Sequence, residues 1–343
     1  MPSPLSIPAL TAELEQACPG ASGIKSLKRS LRAAIKLEFA TIPPYLTAQW
    51  SIQNGKDAVA VTIDEIVREE MGHMGLVCNM LVGLREFPDL ATTAFVPVYP
   101  GPLPGGVNPS LMFGLRRLTP SQIKVFMDIE YPEGGPISLL AARTFETIGA
   151  FYAALRKAFK VVNPPLDKTH QRNVSASHVD VHELDTLKKV LDAIDVIRHQ
   201  GEGSKKTPKV GDPNSELAHF YRFREVYVGS KYVYDPTTKT WGHTGPPVLM
   251  PVVRPMADIP KGGYQQADVS AAGWKLIKQF DETFTLMLKQ LTLAWKDKNA
   301  PLGNGDPGDP IDTTRELRKP AQSLMDLKRS DNVSTYGPCF RLV

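Results

Sequence analysis

The sequence predicts an all-α protein: a bundle of long helices joined by one long crossover, with extra helices at its C-terminal end. Three observations carry this. Apolar residues recur at steps of three and four over several long stretches. The segment from Glu86 to Gly135 is rich in proline and glycine ("FVPVYPGPLPGGVNPS") and too long for an idle loop. Only "KYVYDPTTKTWGH" reads otherwise, as a small hairpin or extended excursion.

The first helix is expected from Ile24 to Trp50, with Pro43 and Pro44 kinking or splitting it, because each proline removes a backbone donor. The second runs from Ile63 to Leu84, with Thr62 and Glu65 as a capping box. The crossover holds one short helix, "TPSQIKVFMDIE", and is the natural lid of any pocket. Further helices are expected over Ile137–Val161, His182–His199, Ser215–Val228 and Ser270–Lys298. Beyond Ala300 the chain is loop-like, with a short helix near Pro320 to Arg329. The expected organisation is one domain over 1–300 and an extended tail, 301–343, packing on it.

Hydrophobic residues make up 42% and charged residues 22%, as in ordinary globular proteins. The net charge of +4 comes from scattered Lys and Arg, which gives no nucleic-acid footprint. No apolar run approaches the ~20 residues that span a bilayer, and the N-terminus lacks the pattern of a signal peptide. Cys18, Cys78 and Cys339 lie far apart and form no disulfide framework, so a cytoplasmic location is expected.

The second helix carries Ile63, Ile66, Glu70, His73, Val77 and Met80 on one face. Glu70 and His73 interrupt that apolar seam as Glu-x-x-His, a spacing that lets both side chains bind one metal ion. A divalent cation removes the cost of burying an unpaired carboxylate. The plain alternative is a Glu and a His bonding each other. The first helix repeats the theme with Leu31, Ala34 or Ile35, Glu38 and Ile42. The fifth adds Glu216, His219, Phe223 and Val226, a second Glu-x-x-His. A Glu on one helix with Glu-x-x-His on another is half of the di-iron carboxylate pattern of four-helix bundles. Glu216 has a second reading, as an acidic partner of the helix dipole in a first turn.

The segments "KLEFATIPPYLTAQWSI", "REEMGHM", "YPGPLPGGVNPSL", "FMDIEYPE", "TIGAFYAAL", "QGEG" and "ELAHFYRF" occur in this order. Together they resemble the ferritin-like domain of the iminophenyl-pyruvate dimer synthase family of bis-indole pigment pathways. The resemblance covers about Lys25 to Lys298. It implies a ferritin-like four-helix bundle, with Glu38, Glu70, His73, Glu202 and His219 at metal-ligating positions. Members with the full synthase activity carry a further large haem-containing segment, which this chain is too short to hold. The resemblance therefore implies a stand-alone metal domain and leaves the substrate open. One departure is Ala150, where relatives carry a Glu. Glu146, one turn earlier, could supply that carboxylate. It falls off the stripe of Phe145, Ile148, Tyr152, Leu155 and Phe159, so a solvated Glu is the alternative.

Carboxylate and imidazole ligands suit iron or manganese, and the lack of clustered thiolates argues against an Fe–S or structural zinc site. The expected function is a non-haem, di-iron oxidoreductase holding one or two Fe ions. It would use O2 as co-substrate on a small organic molecule of secondary metabolism. The alternatives are a metal-binding protein without turnover, for storage or sequestration, and a scaffold whose site has decayed, with Ala150 as the lesion. Expected partners are the small-molecule substrate and, at most, a second copy in a homodimer; neither nucleic acid nor membrane is expected. His178 and His182 in "HVDVH" could chelate metal only on a helix, and Glu130 and Glu133 read as anchors of the crossover.

Overall fold

A short helix α1 (Ile7–Glu15), capped by the Ser6 hydroxyl, leads into α2 (Ala21–Ser51). The structure, a computed structural model, describes residues 6–132, 147–176, 179–202, 208–209 and 216–343. α2 is one helix of 31 residues that passes through Pro43 and Pro44 without splitting, against expectation. The reason is a replaced donor. Pro44 has no N–H for the Ala40 carbonyl, and the Tyr99 hydroxyl, from the crossover, donates to that carbonyl at 2.8 Å. From Leu37 onward α2 is buried on all sides, so its apolar residues need not form a single stripe.

α3 (Ala58–Gly83) packs along α2 as the central pair. It starts earlier than the sequence suggests, because Asp57 rather than Thr62 is the cap, accepting from the Val59 N–H at 2.9 Å. The crossover then forms a small antiparallel ladder of β1 (Gly101–Pro102) and β2 (Met112–Phe113). Its expected helix is α4 (Pro120–Ile129), capped by Thr119. The third expected helix is described only from Thr147 on, as α5 (Ile148–Val162). Its earlier part, with Glu146 and the neighbouring Glu133, lies outside the described residues.

The fourth expected helix starts later than predicted. A hairpin of β3 (Val174–Ala176) and β4 (Val179–Val181) ends just before His182, and α6 is Leu187–Glu202. His182 thus leaves a strand, not a helix, and His178 lies outside the described residues. α7 (His219–Val228) begins four residues after the expected start. Ala218 is its extended N-cap, and the preceding Leu217 bridges to Lys209. The expected hairpin follows as β5 (Val233–Asp235) and β6 (Thr240–Gly242).

α8 (Ala271–Lys296) covers the far side of the α2–α3 pair. Asn79 joins these layers: its amide accepts from Trp295 Nε1 and donates to the carbonyls of Arg172 and His182, at 2.8–2.9 Å. The C-terminal segment is more helical than expected, forming α9 (Pro310–Glu316) and α10 (Arg318–Asp326). Buried Leu324, Met325 and Phe340 join the common core. Arg341 clamps the fully buried Asp281 of α8, with Nε at 2.8 Å and Nη2 at 2.7 Å from Oδ2. Among the described residues no helix is long and apolar enough to cross a membrane.

Candidate metal centre

Four separate stretches meet in the buried interior. α2 presents Glu38, Thr41 and Tyr45 on one face, at steps of three and four. α3 presents Glu70 and His73. The C-cap of α4 presents Glu130, and the first residue of α7 presents His219. These five potential ligands, counted among the described residues, are at most 6% exposed.

They form two groups that share Glu70: Glu38 with Glu70 and His73, and Glu70 with Glu130 and His219. Within each group the ligand atoms lie within 4.8 Å of one another. Glu70 Oε1 is 3.5 Å from His73 Nδ1 and 3.0 Å from His219 Nδ1. Glu38 Oε2 is 3.4 Å from His73 Nδ1, and Glu130 Oε2 is 3.7 Å from His219 Nδ1. The two imidazoles lie nearly parallel, with centroids 5.7 Å apart.

Each remaining polar atom of the cluster is turned outward and held. His219 Nε2 donates to Glu69 Oε2 at 2.7 Å, and Arg222 Nη2 donates to the same oxygen at 2.6 Å. His73 Nε2 donates to Gln200 Oε1 at 2.7 Å. Tyr152 donates to Glu38 Oε1 at 2.5 Å, and Tyr45 to Glu130 Oε1 at 2.6 Å. The Thr41 hydroxyl lies 2.9 Å from Glu70 Oε2. With Nε2 of both rings engaged as donor, Nδ1 of each is the nitrogen left to face the carboxylates, the outer-sphere arrangement that orients imidazole toward a metal.

His219 Nδ1 is buried and makes no hydrogen bond among the described residues, although two carboxylate oxygens surround it. That orphaned nitrogen, with three carboxylates and a second imidazole around it, is the donor set a pair of divalent cations would satisfy.

Without a cation the cluster balances its charge with protons. Burial opposes charge on His73, but Glu38 and Glu70 outweigh it and push His73 up to about 10. Burial likewise opposes charge on His219, and Glu130, Glu69 and Glu70 raise it well above the ordinary range. Burial pushes the carboxyls of Glu38 and Glu130 up. Burial acts the same way on Glu70, yet the two histidines hold it well below the usual carboxylate range. Glu69 falls to about 2, because His219 and Arg222 together overcome its burial.

Residues 31–228 match the model of the ferritin-like family. The chain belongs to the ferritin-like family. A dichlorochromopyrrolate synthase from Lentzea aerocolonigenes is 24% identical over an alignment that covers 92% of this chain and 36% of that protein. The chain thus spans about a third of that relative's length. The crystal structure of a ferritin-like protein from Caulobacter vibrioides superposes with a TM-score of 0.64 at 21% identity, covering 94% of this chain and all of that one. The likeness extends to the whole fold.

This ferritin-like chain assembles its cluster differently from the pattern read in the sequence. Glu38, Glu70, His73 and His219 come together. Glu130, expected only to anchor the crossover, supplies a carboxylate to the second group, while Ala150 sits in the first turn of α5 with its N–H on the Thr147 cap. The missed residue did carry a signal: Ile123, Phe126 and Glu130 continue the same three-and-four spacing that marks Glu38 and Glu70. Glu69 carried none, since its partners His219 and Arg222 are remote in sequence.

Glu216 departs from expectation. α7 starts at His219, so Glu216 and His219 do not share a helix face. The Glu216 side chain is 57% exposed and lies 3.4 Å from Arg222 Nη1, outside both groups. Glu202 is the last residue of α6, and its side chain lies outside the described residues, as does Glu146.

Proposed function

We propose that this ferritin-like protein is a non-haem iron oxidase or oxygenase that holds two Fe ions and acts, with O2, on a small organic substrate of secondary metabolism. The observation that carries this reading is the sharing of Glu70 between two histidine–carboxylate groups beside a small cavity. Iron held there would supply O2 reduction and the oxidising equivalents for the substrate. The similarity to a dichlorochromopyrrolate synthase supports the substrate class.

The chain's own residues have defined parts in this reading. Glu38 and His73 would hold one ion, Glu130 and His219 the other, and Glu70 both. Glu69 and Gln200 fix the tautomers of the two rings, leaving Nδ1 free to coordinate. The cavity of about 30 Å³ is lined by Glu38, Glu70, His73 and Tyr152 together with apolar Ile129 and Ile197. That volume takes a molecule the size of water or dioxygen. Tyr152 and Tyr45 each donate a phenol proton in a hydrogen bond to a carboxylate oxygen, and burial keeps both phenols protonated far above neutral pH.

The test is anaerobic loading with Fe(II) followed by exposure to O2. Uptake of two ions per chain, ferric absorption bands and measurable O2 consumption are expected; a protein that takes up no iron and consumes no O2 overturns the reading. A second reading, metal held without turnover, draws on the size of the cavity, which among the described residues is too small for an organic molecule. Stoichiometric O2 consumption that stops after one event, with any candidate substrate present, would select it.

A further inference from the structure

On the opposite side of α2 and α3 from the metal cluster lies a second, larger cavity of about 320 Å³. Its wall on α2 is Phe39, Ile42, Leu46 and Trp50, a stripe at steps of three and four. This stripe is distinct from Glu38, Thr41 and Tyr45, which face the cluster. Across it stand aromatic and flexible side chains of α8, among them Phe284, Met287 and Trp295. An apolar void of ~150 Å³ is already enough to bind a benzene-sized ligand, and this one is about twice that.

The charged lining residues are Asp64, Arg68, Arg315 and Arg318, all at least partly exposed, so they form the rim. Two of the three guanidinium groups are committed: Arg68 to Asp64 at 2.8 Å, and Arg315 to Asp312. Arg318, the first residue of α10, is half-buried and pairs with no carboxylate among the described residues. The guanidinium lies against Gly55, in the turn between α2 and α3, where an added Cβ would stand 2.5 Å from Nη2 and push this flexible group aside.

From this pairing of an apolar chamber with one unspent guanidinium at its rim, we propose a second ligand site. It would take a hydrophobic monocarboxylate, body in the cavity and carboxylate on Arg318. A planar guanidinium matches a carboxylate with two parallel hydrogen bonds, and the apolar walls supply the remaining affinity. The body is of one chemistry, apolar, and either an alkyl chain or an aromatic ring system would fill the space.

The experiment is calorimetric titration of the full chain with decanoate and with naphthoate, each beside its neutral counterpart, decanol or naphthol. Expected is one acid bound per chain, about tenfold or more tighter than the matched alcohol. Arg318→Gln should erase that preference while leaving alcohol binding unchanged. Met287→Trp, which fills the chamber, should weaken both; Leu291→Trp, on the half-buried part of the wall, replaces it if that variant does not fold. Binding of decanoate alone, naphthoate alone or both supports the site and names its ligand as alkyl, aryl or either. Absence of binding, equal affinity for acid and alcohol, or indifference to Arg318→Gln overturns it.

Discussion

One carboxylate oxygen of Glu70 lies 3.0 Å from Nδ1 of His219, and the same oxygen lies 3.5 Å from Nδ1 of His73. A single side chain thus belongs to both candidate metal positions, and the others belong to one each.

That asymmetry predicts metal counts. Glu70→Ala should lose both ions, whereas Glu38→Ala and Glu130→Ala should each retain one. Elemental analysis of chelator-free, metal-reconstituted protein reads this directly. Two ions bound in the Glu70→Ala variant would show that the carboxylate is not shared.

Metal and protons should compete. His73 and His219 both bind their protons more tightly than a free imidazole, and a coordinating imidazole must be neutral. Loading at pH 7 should release about two protons per chain, and affinity should climb about tenfold per pH unit for each proton displaced. For the metal-free protein the sign reverses. The raised His73 stabilises the fold below about 6.5, and this contribution fades as pH rises toward about 10. Titration in a weakly buffered solution, with chemical unfolding across that range, checks both.

Glu69 should act on metal and fold separately. Its carboxylate holds the His219 ring and the buried Arg222 guanidinium. Glu69→Ala should weaken metal binding roughly 10–100-fold. It should also cost the apoprotein about 2–4 kcal/mol, by leaving Arg222 without its closest partner. Adding Arg222→Met should restore stability and not affinity. Because Glu69 sits at about 2, below its ordinary 4.5, its stabilisation is complete above 4.5 and is lost as pH falls toward 2. The stability gap between wild type and Glu69→Gln should close over that interval.

The C-terminal clamp is expected to matter for the fold alone. Asp281→Ala takes the carboxylate from Arg341, which keeps its bond to the Tyr264 carbonyl, and should cost about 1.5–3 kcal/mol in denaturant unfolding. Metal content should stay at two per chain. A loss of metal in a folded variant would mean that the tail also shapes the centre.

Four of the five residues at the centre were legible because they break an apolar stripe. Glu38, Glu70, His73 and His219 sit where a core helix would place leucine, and periodicity exposes such exceptions. Glu130 obeys the same spacing on α4, but ten residues in a proline-rich crossover give too short a stripe to stand out. Glu216 misled for the opposite reason. "DPNSELAHF" carries capping residues early, yet Ala218 is extended and the helix waits for His219. Helix starts depend on such local backbone choices. The outward contacts, Glu69 to Arg222 and Tyr152 to Glu38, join residues more than a hundred positions apart and left no trace in any window. The unbroken α2 left no such trace either, because the donor that replaces Pro44, Tyr99, lies 59 positions from Ala40.

Glu130 reaches the centre from the end of the crossover rather than from a long helix of the bundle. The crossover is therefore a cassette that carries a candidate ligand along with its loops. Exchanging Glu86–Ile129 between relatives would remodel only the enclosure, whereas a graft extended by one residue would also replace a candidate donor. Anyone recombining such domains would find that a single splice point decides whether the centre keeps its chemistry or takes its neighbour's.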